Sequence, residues 1–190
     1  FEDVGHVRVG IKTTADPIFV RDDWDSLPRG LRPESELLHP LITHQSAGRW
    51  QSAVGAGHRK QVLYPHEVGP DGSRRPVDLA RYPRARAYLL LFRDRLEARR
   101  YVIEAGRKWY EIWVPQHPRD WARPKVVYPD ISEQPKFFLD TTGAVVNGDC
   151  YWITLHDAAP AEWLTLLLAV ANSTFITTYY DVVFHNKLYA

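Results

Sequence analysis

The stretch Arg107-Lys108-Trp109-Tyr110-Glu111-Ile112-Trp113 decides how the chain reads. After a proline-rich hinge it is followed by Pro124-Lys125-Val126-Val127-Tyr128-Pro129-Asp130-Ile131-Ser132. Tyr110, Ile112 and Val114 alternate with Glu111 and Trp113, and Val126 to Ile131 is rich in β-branched and aromatic side chains, interrupted by Pro129. Period-two alternation and that composition predict two short strands. A strand pair that exposes Arg, Lys and Trp can meet phosphates and bases. The same residues also fit a core Trp and Tyr beside ordinary surface charges.

Upstream, Arg84 to Ile103 predicts one helix, with Ala85, Leu89, Phe92, Leu96 and Ile103 on one face, Pro83 at its start and Gly106 at its end. Arg86, Arg93 and Arg100 recur along one edge beside Glu97 and Glu104, the pattern of a solvated, ion-paired face. The helix runs straight into Gly106-Arg107-Lys108, so it would mount the basic and aromatic strand rigidly. From Arg81 to Lys108 the chain carries nine Lys and Arg against three acidic residues, while the whole chain has a net charge of only +1. Charge distribution, more than its total, is therefore the signal.

Val7 to Ile11 predicts a strand, and Pro17 to Val20 its hairpin partner across Lys12-Thr13-Thr14-Ala15-Asp16. Leu37 to Ile42 is a short buried piece, and Lys60 to Pro65 a strand with an exposed loop, Gly69 to Ser73, after it. Lys136 to Asp140 and Cys150 to Leu155 predict two more strands, with turns at Thr142-Gly143 and Asn147-Gly148. Trp163 to Ala171 is a Leu-rich helix, Asn172-Ser173 interrupts it, and Phe175 to Phe184 has helical spacing.

The 190 residues, 45% hydrophobic, can bury a core as one domain or two small lobes. A single Cys150 excludes an internal disulfide and points to a reducing cytoplasm. The apolar run at Trp163 to Ala171 is too short to span a bilayer, so no membrane partner is expected. No Met occurs and the chain opens at Phe1, which reads as a piece of a longer protein. His39 and His44 lack zinc-helix spacing, and Gly55-Ala56-Gly57-His58 lacks the remaining features of a nucleotide loop. Asp130, Glu133 and Lys136 miss the spacing of a nuclease, and no Gly-x-Ser-x-Gly elbow is present. No metal site and no catalytic residue emerges.

The order Gly106-Arg107-Lys108-Trp109-Tyr110, then Pro124-Lys125-Val126-Val127-Tyr128-Pro129-Asp130-Ile131-Ser132, resembles the C-terminal specificity region of TaqI-like adenine DNA methyltransferases and related fused restriction-modification enzymes. The likeness extends to Gly10-Ile11-Lys12-Thr13-Thr14-Ala15-Asp16 with Phe19, to Leu37-Leu38-His39-Pro40-Leu41 with Arg49-Trp50, to Tyr64-Pro65 and to the Asn172-Ser173 break. One departure is Thr14, where the family usually has Gly. Without Gly a positive φ is costly, so this tip is expected to take another turn type.

The resemblance implies an α+β fold, a mainly antiparallel or mixed sheet backed by helices. Residues 1–190 would form one DNA target-recognition domain. Duplex DNA would be one partner, with Lys12, Thr13, Arg49, Arg107, Lys108 and Lys125 at phosphates or guanine edges. Trp109 and Tyr110 would hold the strand by packing. Lys125 could instead pair with Asp130 or Glu111. This segment would bind no cofactor and carry no methyl-transfer chemistry, since it lacks a Gly-rich nucleotide turn and an Asn-Pro-Pro-Tyr segment. S-adenosylmethionine would belong to an upstream catalytic domain in cis. The competing reading is a protein-interaction module whose aromatic and basic surface docks a catalytic or nuclease lobe.

Overall fold

The computed structural model describes residues 2–52 and 59–184, apart from the Phe184 side chain. Gly55-Ala56-Gly57-His58 lies outside the described residues. The α+β reading holds: two four-stranded sheets, a two-stranded hairpin and several helices make up the described chain.

In the first sheet β10 (Cys150–Leu155) lies between β1 (Gly5–Val9) and β7 (Lys125–Pro129), with β8 (Phe138–Asp140) beyond β7, all antiparallel. Because side chains alternate along a strand, β7 and β10 feed two cores. Val127 and Trp152 face the larger core with Leu41, Val62, Val145 and Val146; Val126 and Ile153 face the smaller one with Leu164, Leu167 and Ala171. Burial on both faces explains why β10 has a nearly unbroken apolar sequence.

The second sheet has the order β2 (Val20–Arg21), β4 (Gln61–Leu63), β3 (Leu38–Ile42), β9 (Val145–Val146), and β9 runs parallel to β3. The hairpin β5 (His66–Val68) and β6 (Arg74–Pro76) encloses the Gly69 to Ser73 loop, where Gly72 takes φ 79°. The longer helices are α2 (Pro83–Leu90), α6 (Glu162–Ala171) and α7 (Thr174–Phe184), with α1 (Asp16–Phe19), α3 (Arg93–Glu97), α4 (Arg100–Glu104) and α5 (Pro118–Trp121) as shorter turns. The α6–α7 break falls at Asn172-Ser173, as the sequence predicts. No single helix among the described residues is long and apolar enough to cross a membrane.

Three expectations change. Pro17 to Val20 is not the hairpin partner of β1: Asp16 to Phe19 makes one helical turn with Pro17 near its start, β2 then pairs with β4, and β1 pairs with β10. The predicted long helix breaks at Leu91-Phe92 and at Arg99, whose ψ of 67° leaves the helical region. The second break turns Arg99 and Val102 inward and leaves Ile103 exposed.

The third change concerns the segment Arg107 to Trp113, which is a turn followed by irregular chain. Glu111 N–H donates to the Lys108 carbonyl (3.0 Å), the Glu111 carboxylate accepts from Lys108 N–H (2.7 Å), and Ile112 N–H donates to His66 Nε2 (3.2 Å). Several of its backbone groups are thus paired within the turn or with side chains, in place of a strand ladder. Within it Tyr110 is buried and donates its hydroxyl to the Val77 carbonyl at 2.6 Å, with Trp109 edge-on at 5.5 Å.

Candidate nucleic-acid interface

Three turns converge on an open cleft. One is Lys12 to Pro17 after β1, the second is Thr43 to Gln45 after β3, and the third is Asn147 to Asp149 between β9 and β10. The cleft has two adjoining lobes, of about 540 Å³ and about 320 Å³, which share Asp16, Pro17, Asn147 and Asp149. Lys12 and Arg95 line the larger lobe, and His44, Gln45 and Lys60 the smaller.

The turns are fastened to one another through backbone. Gly10 N–H donates to the Cys150 carbonyl (2.9 Å), Ile11 N–H to Val146 (2.7 Å), and Asn147 N–H to Ile42 (2.8 Å). A Cβ on Gly10 would lie 2.0 Å from the Asn147 carbonyl oxygen, so only glycine permits this approach. His44 meets Asp149 Oδ2 through its ring Nδ1 (2.6 Å) and its backbone N–H (3.3 Å), closing the second turn onto the third.

At the centre of the first turn Thr14 stands at φ 58°. The left-handed conformation expected of Gly is therefore kept despite the substitution, contrary to the expectation of another turn type. Arg99 holds it there. Its guanidinium is only 6% exposed and donates to the Thr13 carbonyl (2.9 Å), the Trp109 carbonyl (2.7 Å) and the Leu96 carbonyl (3.2 Å), with its plane over Phe19. Burial pulls its pKa down from the usual guanidinium range. A fixed fork of donors suits three carbonyls at once, as an ammonium does not. Arg99 thus ties the Lys12 turn to the Arg107 to Val114 segment, and a mutual pair of hydrogen bonds between Lys12 and Val114 adds to the tie (2.9 and 3.0 Å).

The six residues singled out from the sequence divide accordingly. Lys12 and Lys108 are exposed, and among the described residues neither has an ion-pair partner. Arg107 is half-buried, stacked over Trp113 at 4.9 Å and bonded to the Trp113 carbonyl, so its charge is partly committed to the loop. Arg49 is exposed but reaches the Asn172 carbonyl at the α6–α7 break, away from the lining of the cleft.

Thr13 and Lys125 require correction. Thr13 is 1% exposed, and its hydroxyl serves the turn, donating to Asp16 and accepting from Ala15 N–H (3.0 Å), so it does not present a donor to an external phosphate. Lys125 is wholly buried, its ammonium 2.7 Å from Asp140 Oδ2 and 2.8 Å from the Trp121 carbonyl. Burial lowers its pKa, and Asp140 opposes that shift. The partner is neither Asp130 nor Glu111, because β8 places Asp140 directly across from Lys125.

Sequence reasoning missed Arg95, Gln45, Lys60 and Asn147. Arg95 reads as one more charge on a helix edge, and Asn147-Gly148 as an ordinary hairpin turn. The third turn instead begins where β9 has crossed into the second sheet, so Asn147 arrives opposite Ile11, next to Lys12. Nothing local to Asn147 encodes that crossing. Among the described residues no group of three or more His, Cys, Asp or Glu is placed to hold a metal ion.

The family described as the TaqI-like C-terminal specificity domain matches residues 80–189. The chain is also similar to the type II methyltransferase M.BanIII of Aneurinibacillus aneurinilyticus, 43% identical over 99% of this chain and 32% of that protein. With the type II methyltransferase M.PaeR7I of Pseudomonas aeruginosa it is 29% identical over 91% of this chain and 28% of that protein. The chain spans about a third of the length of these relatives.

Proposed function

This chain belongs to the TaqI-like C-terminal specificity domain family, and from that membership we propose that residues 1–190 form one target-recognition domain that binds a specific duplex DNA sequence. It would do so for a longer adenine-specific DNA methyltransferase or a fused restriction-modification enzyme of the cytoplasm. The observation that carries the reading is the cleft itself, an open groove between turns tied to one another, with Lys12 and Arg95 on its lining and Lys108 on the adjoining segment, three exposed cations with no ion-pair partner among the described residues. Exposed cations on fixed backbone grip phosphates, and polar side chains between them can reach base edges.

In this reading methyl transfer and S-adenosylmethionine belong to the remainder of the longer protein, as the one-third coverage of two methyltransferases supports. A catalytic domain in cis is further supported by the apolar outer side of α6 and α7, where Leu166, Phe175 and Val182 are more than half exposed. Of the two, α6 packs on the face of the first sheet turned away from the larger core, and α7 follows α6.

The test is a titration with random-sequence duplex DNA across a salt series. Each phosphate contact releases counterions and contributes about −0.9 to the slope of log affinity against log salt. The Lys12→Ala, Arg95→Ala, Lys108→Ala triple variant is expected to flatten that slope by about 2 to 3. Lys108 and Arg95 serve this test better than Arg107, whose guanidinium also holds its own loop. A folded protein that binds no duplex even at low salt would sink the DNA reading in favour of docking to a protein lobe.

A further inference from the structure

We propose that Asn147 is a specificity-determining residue that reads an adenine in the major groove through its side-chain amide. The inference rests on the DNA-recognition reading above and deepens it. Four residues form the ridge shared by both lobes of the cleft: Asp16, Pro17, Asn147 and Asp149. Asp16 accepts from the Thr13 hydroxyl, Asp149 is engaged by His44, and Pro17 has no polar side chain. Asn147 is partly exposed there, and among the described residues its amide makes no hydrogen bond.

An amide presents one donor and one acceptor side by side, which matches the N7 acceptor and N6 donor on the major-groove edge of adenine. Base reading also demands a backbone that does not yield. The Asn147 N–H is bonded to the Ile42 carbonyl (2.8 Å), its carbonyl accepts from Cys150 N–H (3.0 Å), and the Gly10 backbone packs directly against it. Lys12 and Arg95 line one lobe and Lys60, bonded to Gln45 (2.9 Å), the other, on the two sides of the ridge that carries Asn147 with Asp16 and Asp149, and these cations would hold the two phosphate edges of a groove.

The experiment uses the intact protein and a pool of duplexes with a randomised centre, selected by binding and then sequenced. The wild type is expected to enrich a motif with an A·T pair at one invariant position. Asn147→Ala should lose discrimination at that position, by about tenfold to a hundredfold, with discrimination at the other positions of the motif retained. Asn147→Asp keeps the shape and the backbone bonds but replaces the amide donor with an acceptor, so its preference at the same position should move toward C·G. A merely structural residue would not produce that exchange. If the wild type selects a motif and a folded Asn147→Asp selects the same one, the assignment of Asn147 is overturned while the DNA reading stands. If the wild type selects no motif, both fall.

Discussion

At Lys125 a charge that would attract phosphate on a surface is neutralised in the interior. Removing it leaves Asp140, only 4% exposed, with a carboxylate that no longer has its cation, although Asp140 Oδ1 still accepts from Thr142 (2.6 Å). Breaking a buried pair from one side costs about 3–5 kcal/mol, because the surviving charge stays desolvated. Lys125→Ala should therefore lower the urea midpoint strongly, and the Lys125→Ala, Asp140→Ala double variant should lose less than the two single losses added together. DNA affinity measured on the folded fraction should keep its salt slope. A slope reduced by about 1 without a stability loss would instead return Lys125 to the surface. Thr14 makes a related point. A threonine in the left-handed region costs roughly 1–3 kcal/mol, and it persists because Arg99 takes the carbonyl before it and Thr13 caps the turn.

At the level of elements, what could be read from the sequence was what is decided locally. Alternation located β1, β-branched and aromatic runs located β7 and β10, Gly106 ended the helical region at φ 73°, and Asn172-Ser173 marked the α6–α7 break. What could not be read depends on partners far along the chain. The break at Arg99 exists because carbonyls at positions 13 and 109 compete for its side chain, and helical periodicity carries no record of them. Glu34 likewise caps α2 from 50 residues away, accepting from Arg84 N–H (3.0 Å) and Ala85 N–H (2.9 Å). Asn172 shows that a visible break can have an invisible purpose. It is fully buried, its Oδ1 accepts from Phe137 N–H (3.1 Å) and its Nδ2 donates to the Phe137 carbonyl (2.8 Å), so it stitches the helix junction to the chain entering β8. Asn172→Ala would remove both of these bonds, leaving the Phe137 carbonyl with the Trp50 N–H (2.9 Å), and chemical denaturation should register a loss of about 1–3 kcal/mol. A loss under half a kcal/mol would mean that the junction does not depend on this bond pair.

For the molecule as a whole, a net charge of +1 conceals titrations that favour the folded state only above mildly acid pH. His66 is buried, and its Nε2 accepts from Ile112 N–H, which requires the neutral ring. Burial, aided by Arg74 and Arg107, pushes its pKa down from 6.5 to about 3. Burial also lowers His39. Between those limits the unfolded chain binds a proton at His66 that the folded chain refuses, so stability rises with pH across the window. Acidification from pH 6.5 toward 3 should remove up to about 1.4 kcal/mol per pH unit through His66 alone, with no further change from it above that range. Glu34 adds to the loss at the acid end: burial opposes its ionisation, but the N–H groups of Arg84 and Ala85 hold its pKa below the ordinary value. Its contribution is present at neutral pH and disappears as the carboxylate is protonated. Urea midpoints measured from pH 4 to 8 should fall on the acid side for the wild type and fall less steeply for His66→Gln, which cannot titrate. Parallel curves for the two proteins would mean that His66 accepts its proton in the folded state, and that the bond fixing Ile112 beneath the basic segment does not depend on a neutral ring.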